Sequence, residues 1–226
     1  LKITQSLYQP ISGEGFITYP RTDSRRLPDN YDSEVIKLLN NMNNIKYSKF
    51  AENILKNNLV NAGDKKVFDS TKVSDHFAII PTNNFPAVGK LNDQQQKIYD
   101  LITKRFLAVF YPPTITKETT RDSIIGEHVF RTKGKILINK GWKEVLDSTT
   151  KETILNEINN DENALCENIE TIQLNTSPKA KYTDSTLLRA METAGSDIED
   201  DELVLLMKNK GLGTPATRAQ TIEDLI

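Results

Sequence analysis

Two adjacent prolines, Pro112-Pro113, constrain this fold most, because they cannot continue a helix and they separate two different hydrophobic rhythms. Before them, Ile98, Leu101, Ile102, Phe106, Val109 and Phe110 recur at helical spacing, and Asn92 with Gln95 forms a capping pair at the start. After them, Thr114-Ile-Thr-Lys-Glu-Thr-Thr120 alternates like a strand. His128-Val-Phe-Arg-Thr132 and Lys135-Ile-Leu-Ile138 then flank a Lys133-Gly134 turn, and Trp142 to Leu146 continues the β region. The prolines therefore read as a domain boundary.

The remaining segments complete an α+β, multidomain reading. Ile3 and Leu7 mark a helix over Leu1 to Gln9, and Gly13 and Gly15 open a turn into a strand, Phe16-Ile-Thr-Tyr19. Tyr31, Val35, Leu38, Leu39 and Met42 predict one helix, and Tyr47 to Leu59 a second. Asn61 to Gly89 is an irregular loop with an apolar insert, Phe77-Ala-Ile-Ile80. Glu167 to Thr176 predicts another strand and Ser177 to Lys181 a polar linker. Thr183 then caps a helix carrying Leu187, Leu188, Met191 and Ala194, stopped by Gly195; Asp197 to Lys210 forms another, ended by Gly211. Thr214 stands as an N-cap with Pro215 at the first helical position, a helix start suited to anions. The expected division is 1–112, mostly helical; 113–178, β-rich; and 179–226, helical.

Composition excludes several functions. No apolar run reaches the roughly 18 residues of a membrane span, and the first residues lack a signal-peptide pattern, so the default location is cytoplasmic with no membrane partner. One cysteine, Cys166, excludes an internal disulfide framework and a multi-cysteine zinc site. A net charge of −2 excludes a basic coat, so any nucleic-acid site must be local. The segment from Tyr19 to Arg26 permits one, with three arginines against one aspartate. The start without Met and the end inside a helical pattern lead us to expect part of a longer protein.

In that segment Tyr19 precedes Pro20, which biases the tyrosine backbone toward extended geometry, and Arg21, Thr22 and Ser24 follow as candidate phosphate-binding side chains. A phenol oxygen can attack phosphorus and hold the phosphoryl group as an ester, while a guanidinium stabilises the developing charge. The same residues also suit a half-buried strand-end tyrosine among solvated arginines. Asp23 would either orient Arg21 or cap the loop. Arg25 and Arg26 read as solvated charges, and His128 as structural. Trp142 and Tyr182 offer stacking surfaces, though packing is the plainer reading. The acidic run Asp197 to Glu202 suits a helix start better than a metal site.

Phe16-Ile-Thr-Tyr-Pro-Arg-Thr-Asp-Ser24 resembles the active-site signature of the type IA DNA topoisomerases, and His76-Phe-Ala-Ile-Ile-Pro-Thr82 resembles their second signature. Lys181-Tyr-Thr-Asp-Ser-Thr-Leu-Leu-Arg-Ala-Met-Glu192 and Gly211-Leu-Gly-Thr-Pro-Ala-Thr-Arg-Ala219 resemble later helices of the family, in the expected order. The wording leans toward the topoisomerase III branch.

This resemblance implies Tyr19 as the nucleophile of a 5′-phosphotyrosine, Arg21 as the group positioning the scissile phosphate, and His76 as a hydrogen-bond donor or proton relay beside it. It places Thr217 near the DNA backbone with Arg218 adding charge, while Thr214 and Ala216 replace an Arg and a Ser of some relatives, so those two contacts do not carry over. The implied activity is ATP-independent cleavage, passage and religation of a DNA strand, with single-stranded DNA as partner and a helicase as further partner of the whole enzyme. The protein would then be cytoplasmic and associated with DNA. The family's Mg²⁺ cluster belongs to a separate N-terminal Toprim domain, and no Asp-x-Asp-x-Asp pattern occurs here. The implied domains are the tyrosine domain, part of a β-rich hinge domain and the start of a helical DNA-binding domain. Alone, the 226 residues are expected to bind no metal and to leave plasmid DNA unrelaxed. The alternative is a noncatalytic single-strand-binding or architectural module of the same fold.

Overall fold

A computed structural model describes residues 1–11, 13–42, 46–159, 162–163, 165–194 and 211–225. By contact it divides into two compact units, 1–120 with 135–153, and 121–134 with 154–226.

The first unit is built around helices α1 (Lys2–Tyr8), α2 (Asp32–Asn41), α3 (Ser48–Lys56) and α4 (Asp93–Phe110). The capping pair at the start of α4 is real: Gln95 N–H donates to Asn92 Oδ1 at 2.9 Å and Asn92 N–H to Gln95 Oε1 at 3.1 Å. The Gln95 amide also donates to Ser6 Oγ at 2.9 Å, tying α4 to α1. At the other end, Tyr111 is already extended (φ −76°, ψ 152°), because the ring of Pro112 disfavours helical geometry in the residue before it. Tyr99, Thr103, Phe106, Leu107 and Phe110 form the buried face of α4, whereas Leu101 and Val109 lie on its outer side. Leu7, Val35, Leu38, Leu39, Ile54 and Phe68 fill the shared core, which also takes in Phe16 and Ile17.

Four β expectations are corrected, three of them before residue 150. Phe16 to Tyr19 makes no ladder: Ile17 forms an isolated bridge with Pro81, while Phe16 N–H donates to Leu7 O at 2.8 Å and Thr18 N–H to Ile80 O at 2.9 Å. Pro20 and Pro81 lack the N–H groups that would extend the pairing. Strands β1 (Ile115–Ile125) and β2 (His128–Asn139) form a longer hairpin than expected, turning at Gly126-Glu127. Gly126 supplies the turn with φ +60°, and Lys133-Gly134 lies inside β2. The base of the hairpin belongs to the first unit and its tip to the second. Trp142 opens no strand; Gly141–Glu144 is a 3₁₀ turn, where Gly141 (φ +51°) allows Trp142 N–H to reach Pro112 O at 2.9 Å. A Cβ on Gly141 would stand 2.4 Å from that carbonyl oxygen.

In the second unit, Glu167 to Thr176 forms no strand, and Ile169, Ile172 and Leu174 are exposed. β-Branched residues favour a strand only where a paired, half-buried surface is available, and this segment pairs with none of the described residues. Helix α5 (Asp184–Glu192) starts as expected, with Thr183 capped reciprocally by Thr186. Gly195 and the helix expected over Asp197 to Lys210 lie outside the described residues. Helix α6 (Arg218–Asp224) begins later than expected: its N-cap is Thr217, and Thr214 instead accepts the Thr217 and Arg218 N–H groups, each at 3.0 Å, in a preceding turn. No described helix is long and apolar enough to cross a membrane.

Candidate active site

The tyrosine loop is built on a close approach. A Cβ on Gly15 would stand 2.1 Å from the Tyr8 carbonyl oxygen, so only glycine lets the loop pass the end of α1. Beyond it, Phe16 and Ile17 enter the core and Pro20 is buried, which anchors Tyr19 from both sides along the chain.

Side-chain hydrogen bonds then join this loop to the segment around His76. Thr18 Oγ1 donates to Ala78 O at 3.0 Å and accepts Ile80 N–H at 2.9 Å. Thr22 Oγ1 donates to His76 O at 2.8 Å and accepts Ser24 N–H at 3.0 Å. Ala78 N–H donates to Arg26 O at 2.9 Å. Ser24 is buried and donates to Lys72 O at 2.7 Å while accepting Arg26 N–H at 3.2 Å. The Thr22 and Ser24 hydroxyl protons thus go to protein carbonyls, and both side chains brace the loop.

Loss of the Thr18 brace should be felt, because its oxygen accepts the backbone N–H of Ile80, a buried residue far away in the chain. In Thr18→Val, Ile80 N–H loses that acceptor, and urea unfolding is expected to show a loss of about 1–3 kcal/mol. An unchanged midpoint would show that this bond contributes nothing.

These braces bring Tyr19 and His76 together, with ring centroids 4.1 Å apart and planes tilted by 39°. On another side Tyr8 meets the Tyr19 ring edge-on, at 5.3 Å and 80°. Arg21 is half-buried, and its Nε is shielded from solvent without a hydrogen-bond partner among the described residues. Asp23 accepts a long hydrogen bond from Ser74 Oγ at 3.4 Å, a contact that caps the loop. Beside Tyr8 and Thr18 lies an open cleft of about 440 Å³. Its rim is held by Thr82 Oγ1 donating to Gly15 O at 2.6 Å and by the Asn84 amide donating to Glu14 O at 2.5 Å.

The sequence singles out Tyr19, Arg21 and His76, and Gly15 as part of the turn before them, but not Tyr8. Nothing in the spacing of Tyr8 from Tyr19 signals ring contact, since the intervening turn decides it. Thr217 and Arg218 belong to the second unit. There Thr214 N–H donates to Thr217 Oγ1 at 3.0 Å. Arg218 is buried, with Nε donating to Leu212 O at 2.8 Å and Nη2 to Gly213 O at 3.1 Å, so its guanidinium closes the glycine turn. His128 is exposed on β2, Trp142 packs against the core, and Tyr182 is exposed. Among the described residues no three His, Cys, Asp or Glu side chains cluster as a metal site; the acidic run Asp197 to Glu202 lies outside them.

A family model described as DNA topoisomerase matches residues 1–226. The chain belongs to the DNA topoisomerase family. Its curated relatives include the DNA topoisomerase 3 of Bacillus licheniformis, 36% identical over 100% of this chain and 32% of that protein. The DNA topoisomerase 3 of Bacillus subtilis strain 168 is 34% identical, again over 100% of the chain and 32% of the relative. This topoisomerase chain therefore spans about a third of the length of the relatives it matches. Among solved structures, the full-length topoisomerase I of Thermotoga maritima covers 100% of the chain with 33% of its own, at a TM-score of 0.58 and 27% identity. The topoisomerase motifs read in the sequence and the topoisomerase 3 relatives agree on the branch.

Proposed function

We propose that this chain supplies the strand-cleaving tyrosine of an ATP-independent type IA DNA topoisomerase. Tyr19 Oη attacks a phosphorus of single-stranded DNA, the P–O3′ bond breaks, and the chain is left joined to the 5′-phosphate of the downstream fragment as a phosphotyrosine. The phenolic proton leaves and the departing 3′-oxygen gains a proton; His76, whose ring lies 4.1 Å from that of the nucleophile, is a candidate for handling one of them. Attack by the 3′-hydroxyl on the same ester reverses the step, so the phosphodiester is conserved and no ATP is required.

The observation that carries this reading is the corner itself, with Tyr19 beside His76 and a shielded, unpartnered Arg21 Nε two residues on. Such a donor suits a phosphate oxygen. Mg²⁺, which the family resemblance implies, finds no fit here. Among the described residues no three His, Cys, Asp or Glu side chains cluster to hold it, and the proposal assigns the ion to acidic Toprim residues outside this chain. Residues 1–112, 113–178 and 179–226 would serve as tyrosine domain, hinge portion and start of a DNA-binding domain, the last contributing Thr217 and Arg218 near the backbone. Passage of a second strand, a cytoplasmic setting on DNA and a helicase partner belong to the whole enzyme in this proposal.

The test traps the ester. The full-length enzyme is incubated with a single-stranded oligonucleotide and Mg²⁺, denatured, digested and analysed by mass spectrometry. The expected adduct is a nucleotide on the peptide containing Tyr19. Plasmid relaxation accompanied by an adduct on another residue would overturn the assignment, and DNA binding without any adduct would favour the noncatalytic module.

A further inference from the structure

Tyr8 has no part in the chemistry described so far, yet it is one of two rings in contact with the nucleophile. We propose that Tyr8 is a positioning residue for Tyr19, holding the phenol ring edge-on so that its oxygen is presented in one orientation. The inference rests on Tyr19 being the nucleophile.

Three observations converge on it. The ring centroids of Tyr8 and Tyr19 lie 5.3 Å apart with an interplanar angle of 80°, the edge-to-face geometry favoured by the aromatic quadrupole. On another side of Tyr19, His76 lies at 4.1 Å, so the phenol has an aromatic neighbour on each of two elements. The backbone fixes Tyr8 itself: Phe16 N–H donates to Leu7 O at 2.8 Å, and Gly15 passes so close to Tyr8 O that a Cβ would lie 2.1 Å away. Leu7, the residue before Tyr8, is fully buried. The end of α1 is thus clamped to the very loop that carries the nucleophile.

His76 alone does not fix the ring, because it is exposed and comes from a loop without regular structure. Tyr8 sits at the end of a helix packed on α4, a stiffer support. In-line attack needs the oxygen aligned with the scissile bond, and small errors in that alignment lower the rate steeply. A ring held on one side only would sample more orientations about its Cα–Cβ bond.

The test compares Tyr8→Phe and Tyr8→Leu in the full-length enzyme. It follows single-turnover formation of the covalent complex at saturating single-stranded oligonucleotide, with the Kd for the oligonucleotide and the thermal midpoint measured alongside. Tyr8→Phe keeps the ring and is expected to cleave at the wild-type rate. Tyr8→Leu is expected to cleave about tenfold more slowly, with Kd unchanged within about twofold and a midpoint within a few degrees. Equal rates for all three proteins would overturn the proposal. So would a Leu variant whose slower cleavage is accompanied by a proportional loss of binding or stability, since a structural role alone produces that pattern. Failure of the underlying reading looks different: wild-type enzyme would then yield no Tyr19-linked DNA at all.

Discussion

In a Tyr19→Phe variant of the full-length enzyme, the protein-linked oligonucleotide is expected to disappear, a loss of at least about 10⁴-fold in cleavage, while DNA binding persists. The substitution removes one oxygen and keeps the ring. Both aromatic contacts, with Tyr8 at 5.3 Å and His76 at 4.1 Å, use the ring, so the loop should keep its shape. The braces from Thr18 and Thr22 do not involve the phenol either. Loss of the adduct with an unchanged Kd and unfolding midpoint therefore assigns the chemistry to Oη. An adduct surviving in the Phe variant would remove Tyr19 from the mechanism.

For Arg21→Lys the expected result is a cleavage rate lower by about 10²-fold, with folding stability equal to or slightly above that of the parent. Arg21 Nε is shielded from solvent without a partner among the described residues. Such a donor costs roughly 1–3 kcal/mol in the unliganded protein, and a phosphate oxygen is the kind of acceptor that would recover it. Lysine keeps the positive charge but lacks the planar fork, so a loss in rate with retained binding would show that geometry matters beyond charge. The measurement is single-turnover cleavage across a range of salt concentrations. A rate unchanged by the substitution would assign Arg21 to loop structure alone.

The helices were legible because their signals are local. Asn92 and Gln95 form the capping box their spacing predicts, Thr183 caps α5, and Pro112 ends α4 at the residue before it. The β region was misread where a local signal had a stronger rival. Lys133-Gly134 looks like a turn, but Gly126 adopts the positive φ and carries the strands past it. Thr214-Pro215 looks like a helix start, but the N–H groups of Thr217 and Arg218 close a separate turn on Thr214 first. Glu167 to Thr176 has the residues of a strand without a partner strand among those described.

At the candidate site, Tyr19, Arg21 and His76 are legible as candidates, because side-chain type and order carry the motif signal. Their arrangement comes from packing between segments far apart in the chain. That packing makes braces of Thr22 and Ser24, whose hydroxyl protons meet carbonyls of His76 and Lys72 from distant parts of the chain. It also brought Tyr8 onto the nucleophile. That contact depends on a glycine small enough to let Gly15 pass the Tyr8 carbonyl, and on the Leu7–Phe16 hydrogen bond that fixes the approach. A motif records which atoms can react; their orientation is a property of packing between segments that the motif does not contain.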